Sequence, residues 1–172
     1  MKVILCICLL STSLTGVCQI ETYPEWLKDS MRRKKLDIKY ELNAWLKPAY
    51  VQEDFNGDGQ PDIAVLVIEK TTHKKGILLV HNHSSEYYVF GAGTNFGNGS
   101  EDFAWAGKWY VYDKKTAFET RFDKKSGDVL GGKKVKLSHP CISIARVDDG
   151  AEDSGGLIYW TGRKYRWIHQ GE

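Results

Sequence analysis

Asp54-Phe55-Asn56-Gly57-Asp58-Gly59-Gln60-Pro61-Asp62 runs straight into Ile63-Ala64-Val65-Leu66-Val67-Ile68. The second half is β-branched and apolar without a break, which reads as a strand buried on both faces. The first half places oxygen-bearing side chains on every second residue, Asp54, Asn56 and Asp58, with Asp62 four further on. That spacing suits a tight loop gathering oxygens around one hard cation. Calcium accepts six to eight oxygen ligands at flexible geometry, and a backbone carbonyl from Gln60 would add to the set. Gly57 and Gly59 allow the turns such a loop requires. The expected ligands are therefore Asp54, Asn56, Asp58, Gln60 and Asp62, holding a structural calcium. Two other readings stand beside it: a metal-free acidic turn, since Asn-Gly and Asp-Gly are turn formers in their own right, and a catalytic metal. Catalytic zinc favours His or Cys ligands, and the loop has neither.

The loop is not an EF-hand. The twelfth position, where an EF-hand carries Glu, is Val65, and the segment that follows has strand rather than helix character. The pattern resembles the D-x-N-x-D-G-x-x-D loops of FG-GAP and VCBS-type extracellular β repeats. That resemblance implies a structural calcium site opening a β-strand.

Upstream, Met1 to Cys18 has the layout of a secretory signal peptide: Lys2 as the charged start, Val3 to Leu10 as the apolar run, and Gly16 and Cys18 at the −3 and −1 positions of a cut before Gln19. The apolar run is too short for a membrane-spanning helix. The Cys-Gln junction resembles signal peptides of Bacteroidetes-type bacteria. Lipidation of Cys18 is the competing reading, although Val17 stands where a lipobox takes a small residue. The expected location is outside the cytoplasm, periplasmic or extracellular. Of 172 residues, removing eighteen leaves 154, one domain at 19–172. A domain of that size buries roughly 70% of its unfolded surface without disulfides. Cys141 is then the one remaining cysteine.

Charge is nearly balanced, with 24 Lys and Arg against 22 Asp and Glu, which argues against a nucleic-acid partner. Residues 22–47 have helical apolar spacing from Trp26 and Leu27 through Met31, Leu36 and Tyr40 to Leu46, with a slip near Lys34 that divides it into one helix or two. Arg32-Arg33-Lys34-Lys35 reads as a solvated helix face, or as a patch for anionic lipid or nucleic acid. From Tyr50 onward the pattern turns to short strands: Tyr50–Glu53, Asp62–Glu69, Gly76–His83, Glu86–Gly91 and Cys141–Val147. The 113–134 stretch reads as mixed-charge hairpins, and Asp148–Asp153 as an acidic turn with a second possible cation site. The chain ends in a hairpin, Gly156–Trp160 and Arg163–Ile168, turning at Thr161-Gly162, with Tyr165 and Trp167 on one face. A helix followed by hairpin-connected strands predicts an α+β domain, an N-terminal helical segment packed on a mainly antiparallel sheet or open barrel.

The final Tyr159-Trp160-Thr161-Gly162-Arg163-Lys164-Tyr165 piece, taken with the acidic loop and the glycine-rich 91–100 segment, resembles a layout of small secreted proteins of uncharacterised type. No activity follows from that resemblance.

Catalytic signatures are sparse. There is no Gly-x-Ser-x-Gly elbow, and the glycine-rich 91–100 loop lacks a Walker lysine. His81 and His83 could share a metal, and His139 and Cys141 could pair as base and nucleophile. The neighbours Glu101 and Asp102 point to opposite faces if they lie on a strand. The expected function is an exported, calcium-binding, non-catalytic domain that binds another protein or a cell-envelope component, inhibitor- or immunity-like. The alternative is a small secreted hydrolase acting on glycan or lipid. It would use Glu101, Asp102 and the 148–153 carboxylates, with Trp105, Trp109, Trp160 and Trp167 as a stacking surface.

Overall fold

The computed structural model describes residues 23–82, 84 and 86–171, so the expected signal peptide at 1–18 and His83, the suggested metal partner of His81, lie outside the described residues. Helix α1 (Glu25–Arg33) is followed by a single-turn α2 (Leu36–Lys39), and then by β1 (Tyr40–Leu42), β2 (Tyr50–Glu53), β3 (Asp62–Glu69), β4 (Lys75–Val80) and β5 (Tyr87–Gly91). The remaining strands are β6 (Lys108–Tyr112), β7 (Thr116–Phe122), β8 (Val129–Lys136), β9 (Cys141–Asp148), β10 (Ala151–Trp160) and β11 (Tyr165–Gly171). The α+β expectation is met, in its open-sheet form: among the described residues the strands make separate antiparallel sheets and no closed barrel.

The first sheet has the order β1-β3-β4-β5, and β2 continues along the same edge of β3 that β1 occupies. Tyr40 to Leu42 pair with Glu69 to Val67, and Tyr50 to Glu53 pair with Val65 to Asp62. The second sheet has the order β11-β10-β9-β6, and β7-β8 form a separate hairpin. The hairpin is laid against β11, where Thr120 Oγ1 donates to the Gly171 carbonyl (2.8 Å) and Gln170 Nε2 to the Phe118 carbonyl (2.7 Å).

Alternation along β3 explains its unbroken apolar run. Ile63, Val65 and Val67 face α1 and pack with Leu27, Met31, Leu36 and Tyr40. Ala64 and Leu66 face the second sheet and pack with Ile77, Leu79, Trp109, Ile142, Ile144 and Ile158. A strand with both faces covered has no polar side to show. In α1, Leu27, Ser30 and Met31 fall on one stripe at three- and four-residue steps. On the far face of the second sheet Cys141, Leu157, Tyr159 and Ile168 pack with Ala117 and Leu137 from the hairpin and the segment after it.

The structure departs from the sequence reading in the extent of several elements, β4 stopping at Val80 and β10 starting at Ala151 among them. The helical pattern over 22–47 holds only to Lys39: Lys35 takes a left-handed conformation (φ 57°), and Tyr40 turns into a strand because β3 offers it a pairing edge. Residues 43–49 are irregular, with a cis Lys47–Pro48 bond. The acidic turn expected at 148–153 is present but shorter. Strands β9 and β10 run into it from either side, leaving Asp149-Gly150 as the turn, and Glu152 and Asp153 are strand residues. Among the described residues no helix is long and apolar enough to cross a membrane.

Candidate metal site

The loop between β2 and β3 is wound around the carboxylate of Asp54. Its Oδ1 accepts the backbone N–H groups of Gly57 (2.7 Å) and Asp58 (3.1 Å), and its Oδ2 accepts that of Gly59 (2.9 Å). Asn56 Oδ1 accepts from Asp58 N (2.9 Å), and Asp58 Oδ1 from Gln60 N (2.8 Å). Asn56 Nδ2 donates to Asp58 Oδ2 (3.0 Å), so the three alternating residues the sequence singled out do meet on one turn. Gln60 contributes its backbone there, and its side chain is exposed.

Asp62 behaves differently. It opens β3 at 0% exposure, with Oδ2 accepting Phe55 N (3.2 Å) and Oδ1 accepting Asn82 N (3.1 Å). One carboxylate thus ties the loop, the strand and the turn after β4 together. Burial pushes its carboxyl above the usual carboxylate range, and the Asp58 charge adds to that, against the opposing pull of His81 and the two amides. Removing this carboxylate would leave two amide donors without acceptors.

Two histidines flank the loop, and the sequence pairs neither of them with it. His81 is buried; its Nδ1 lies 3.3 Å from Asn56 Nδ2, its Nε2 lies 2.8 Å from Tyr165 Oη, and Asp62 Oδ2 is 3.9 Å away. His81 therefore joins the loop to the aromatic cluster of Tyr88, Trp160 and Tyr165. His139 sits on the other flank: a Cβ at Gly57 would fall 2.0 Å from its ring. The glycine is needed there twice over, because its φ is also +81°. No local sequence signal could have found these contacts, which are made between distant segments.

The loop's donors fit a hard cation by type: three carboxylates, an amide oxygen and a backbone carbonyl. Each carboxylate is already bonded to backbone amides, and among the described residues no three His, Cys, Asp or Glu side chains come together as a metal-binding group. Asn56 and the Gln60 carbonyl stand outside that set of residue types. Each carboxylate oxygen of Asp62 accepts one backbone amide, and a carboxylate oxygen carries two lone pairs.

The other candidate groups are tied into the fold. Glu101 pairs with Lys74, while Asp102 Oδ1 accepts Lys75 N (3.0 Å) and Ala104 N (2.9 Å). Glu152 pairs with Lys108 (2.6 Å) and Asp153 with Arg146. Cys141 is buried in apolar surroundings that push its thiol up to about 12, too high for a thiolate nucleophile at neutral pH. Trp109 is buried, with its Nε1 donating to the Pro48 carbonyl (2.8 Å). Trp105 and Trp167 are half-buried with ring planes 83° apart, so they offer no common stacking plane. The glycine-rich loop is a seat for Trp167, since a Cβ at Gly97 would lie 2.4 Å from that side chain.

Comparison with protein-family profiles, with curated proteins and with solved structures finds no match. The likeness of the loop to FG-GAP-type repeats accordingly rests on the residues of the loop itself.

Proposed function

We propose that the protein is an exported, calcium-binding, non-catalytic domain that binds another macromolecule of the cell envelope. One observation carries the reading. Asp54, Asn56 and Asp58 meet on a single turn, and the buried carboxyl of Asp62 at the head of β3 feels the Asp58 charge beside it. A divalent cation on the loop would offset both the burial cost of Asp62 and the repulsion between the two acids. Asp54, Asn56, Asp58 and Asp62 would hold it with side-chain oxygens, and Gln60 with its carbonyl. Its work would be structural, fixing the start of the central strand. Modules of this kind outside the cell bind calcium at about 10⁻⁴–10⁻³ M.

The hydrolase alternative draws no comparable support. Its carboxylates are engaged by Lys74, by backbone amides, by Lys108 and by Arg146, and its tryptophans pack on the core.

Calcium titration by calorimetry, on wild type and Asp58→Ala, tests the metal. Saturable heat in wild type that is absent from the variant is expected, and a flat titration into the millimolar range would remove the metal from the account. Terminal sequencing of protein recovered from the envelope tests export, with Gln19 the expected first residue.

A further inference from the structure

The β7–β8 hairpin brings together exposed apolar side chains and a surplus of lysines. Six large apolar side chains are exposed among the described residues, and three belong to it: Phe118 (64% exposed), Leu130 (56%) and Val129 (43%). Between Asp113 and Lys136 the chain has eight Lys and Arg against four Asp and Glu, a surplus of four where the whole chain has a net charge of +2. The remainder of the chain is therefore slightly acidic.

Two of those four acids are already committed. Glu119 holds Arg166 through Oε1 (3.0 Å) and Oε2 (3.3 Å), and Asp123 accepts the amides of Lys125 (2.8 Å) and Ser126 (2.9 Å). No ion pair with a described carboxylate is made by Lys124, Lys125, Lys133, Lys134 or Lys136. Lys133 stands opposite Glu119 and Lys134 opposite Phe118 in the β7–β8 register, while Lys124 and Lys125 occupy the turn beside Val129 and Leu130.

We propose that this hairpin docks the protein on the surface of an anionic phospholipid bilayer. The lysines supply attraction to the headgroups, at about fivefold in binding per lysine close to the surface. The exposed apolar side chains supply what a soluble polyanion cannot use, since the boundary between headgroups and acyl chains receives them and removes them from water. An added strand from a protein partner fits less well. Strand β8 is exposed at nearly every residue, its pairing shifts register between Arg121 and Phe122, and lysines and glycines line it, all of which discourage edge pairing. The inference rests on the hairpin alone and not on the cation loop.

The test is co-sedimentation of residues 19–172 with mixed phosphatidylglycerol–phosphatidylcholine vesicles, in EDTA and again in calcium. Binding to these vesicles and not to pure phosphatidylcholine is expected. Raising the salt from about 0.1 M to about 1 M, which shortens the screening length from about 10 Å to about 3 Å, should release the protein. Lys124→Glu/Lys125→Glu should weaken binding about 30-fold or more, and Leu130→Ser should weaken it severalfold. Arg33→Glu/Lys35→Glu, which alters two exposed cations on the helical segment, should leave it unchanged. Three results would overturn the proposal: no sedimentation with the anionic vesicles; equal loss in the Arg33/Lys35 variant, which would mean attraction by net charge alone; or equally tight binding to a soluble acidic polysaccharide with no effect of Leu130→Ser, which would make the surface a polyanion site.

Discussion

Strands β3 and β8 are both eight residues long and both pair antiparallel, yet β3 is buried at seven positions and β8 is exposed at seven. The two make the same backbone ladder, so hydrogen bonding does not separate them. Side-chain burial does. β3 lies between α1 and the second sheet, receives β1 and β2 on one edge and β4 on the other, and is entered through the buried carboxylate of Asp62. β8 has one neighbour and shows its lysines to solvent. The molecule is thus held together at one strand, while the other presents its side chains to solvent.

Substitutions can break or sharpen this contrast. The largest effect is expected in β3: Leu66→Ala empties a fully buried site between the sheets and should cost about 2–5 kcal/mol in urea unfolding. A loss under 1 kcal/mol would contradict the placement of the core. Next come two glycines with nearly the same backbone, Gly57 (φ +81°) beside the head of β3 and Gly127 (φ +79°) in the β7–β8 turn. Alanine at Gly127 meets nothing within 4 Å, whereas alanine at Gly57 runs into the His139 ring. Gly57→Ala should cost about 2 kcal/mol and Gly127→Ala about 1 kcal/mol, and adding His139→Ala should recover part of the first loss only. Equal costs would deny the His139 contact.

At the other end of β3, Thr72 donates to Glu69 through both its amide and its hydroxyl, and this holds the Glu69 carboxyl at about 2 against the usual 4.5. A carboxyl lowered on folding stabilises the protein fully above its unfolded value and loses that contribution as pH falls through the folded one. Stability should therefore drop between pH 4.5 and 2, and Glu69→Gln should flatten that part of the profile; an unchanged slope would remove the Thr72 bonds from the account. The smallest effect belongs to β8, where Leu130→Ser should alter stability by no more than about 0.5 kcal/mol.

What could be read from the chain follows the same division. The bounds of β2 and β3 were visible, because an apolar run between turn residues is a local signal. So was the meeting of Asp54, Asn56 and Asp58, which needs only a short turn. The extent of the helix was not, because Tyr40 has helical spacing and takes strand geometry only when Glu69 lies beside it. The acidic turn at 148–153 was legible but its extent was not: Lys108 and Arg146 neutralise Glu152 and Asp153 on the sheet, and those cations lie far off or on the neighbouring strand. His81 and His139 were grouped with their sequence neighbours, whereas the fold sets them on either side of the loop.

The central claim is that the 54–62 loop anchors β3 through a bound cation. It is tested most directly by the melting temperature of residues 19–172 in EDTA and in millimolar calcium, for wild type and Asp58→Ala. Calcium at about 100-fold over its dissociation constant adds about 2.7 kcal/mol, equivalent to about 5–11 °C for a domain of this size. A rise of that order is expected in wild type and none in Asp58→Ala, whatever the variant's starting temperature. Equal melting of wild type in EDTA and in calcium would contradict it and leave the loop an acidic turn held by its own amides.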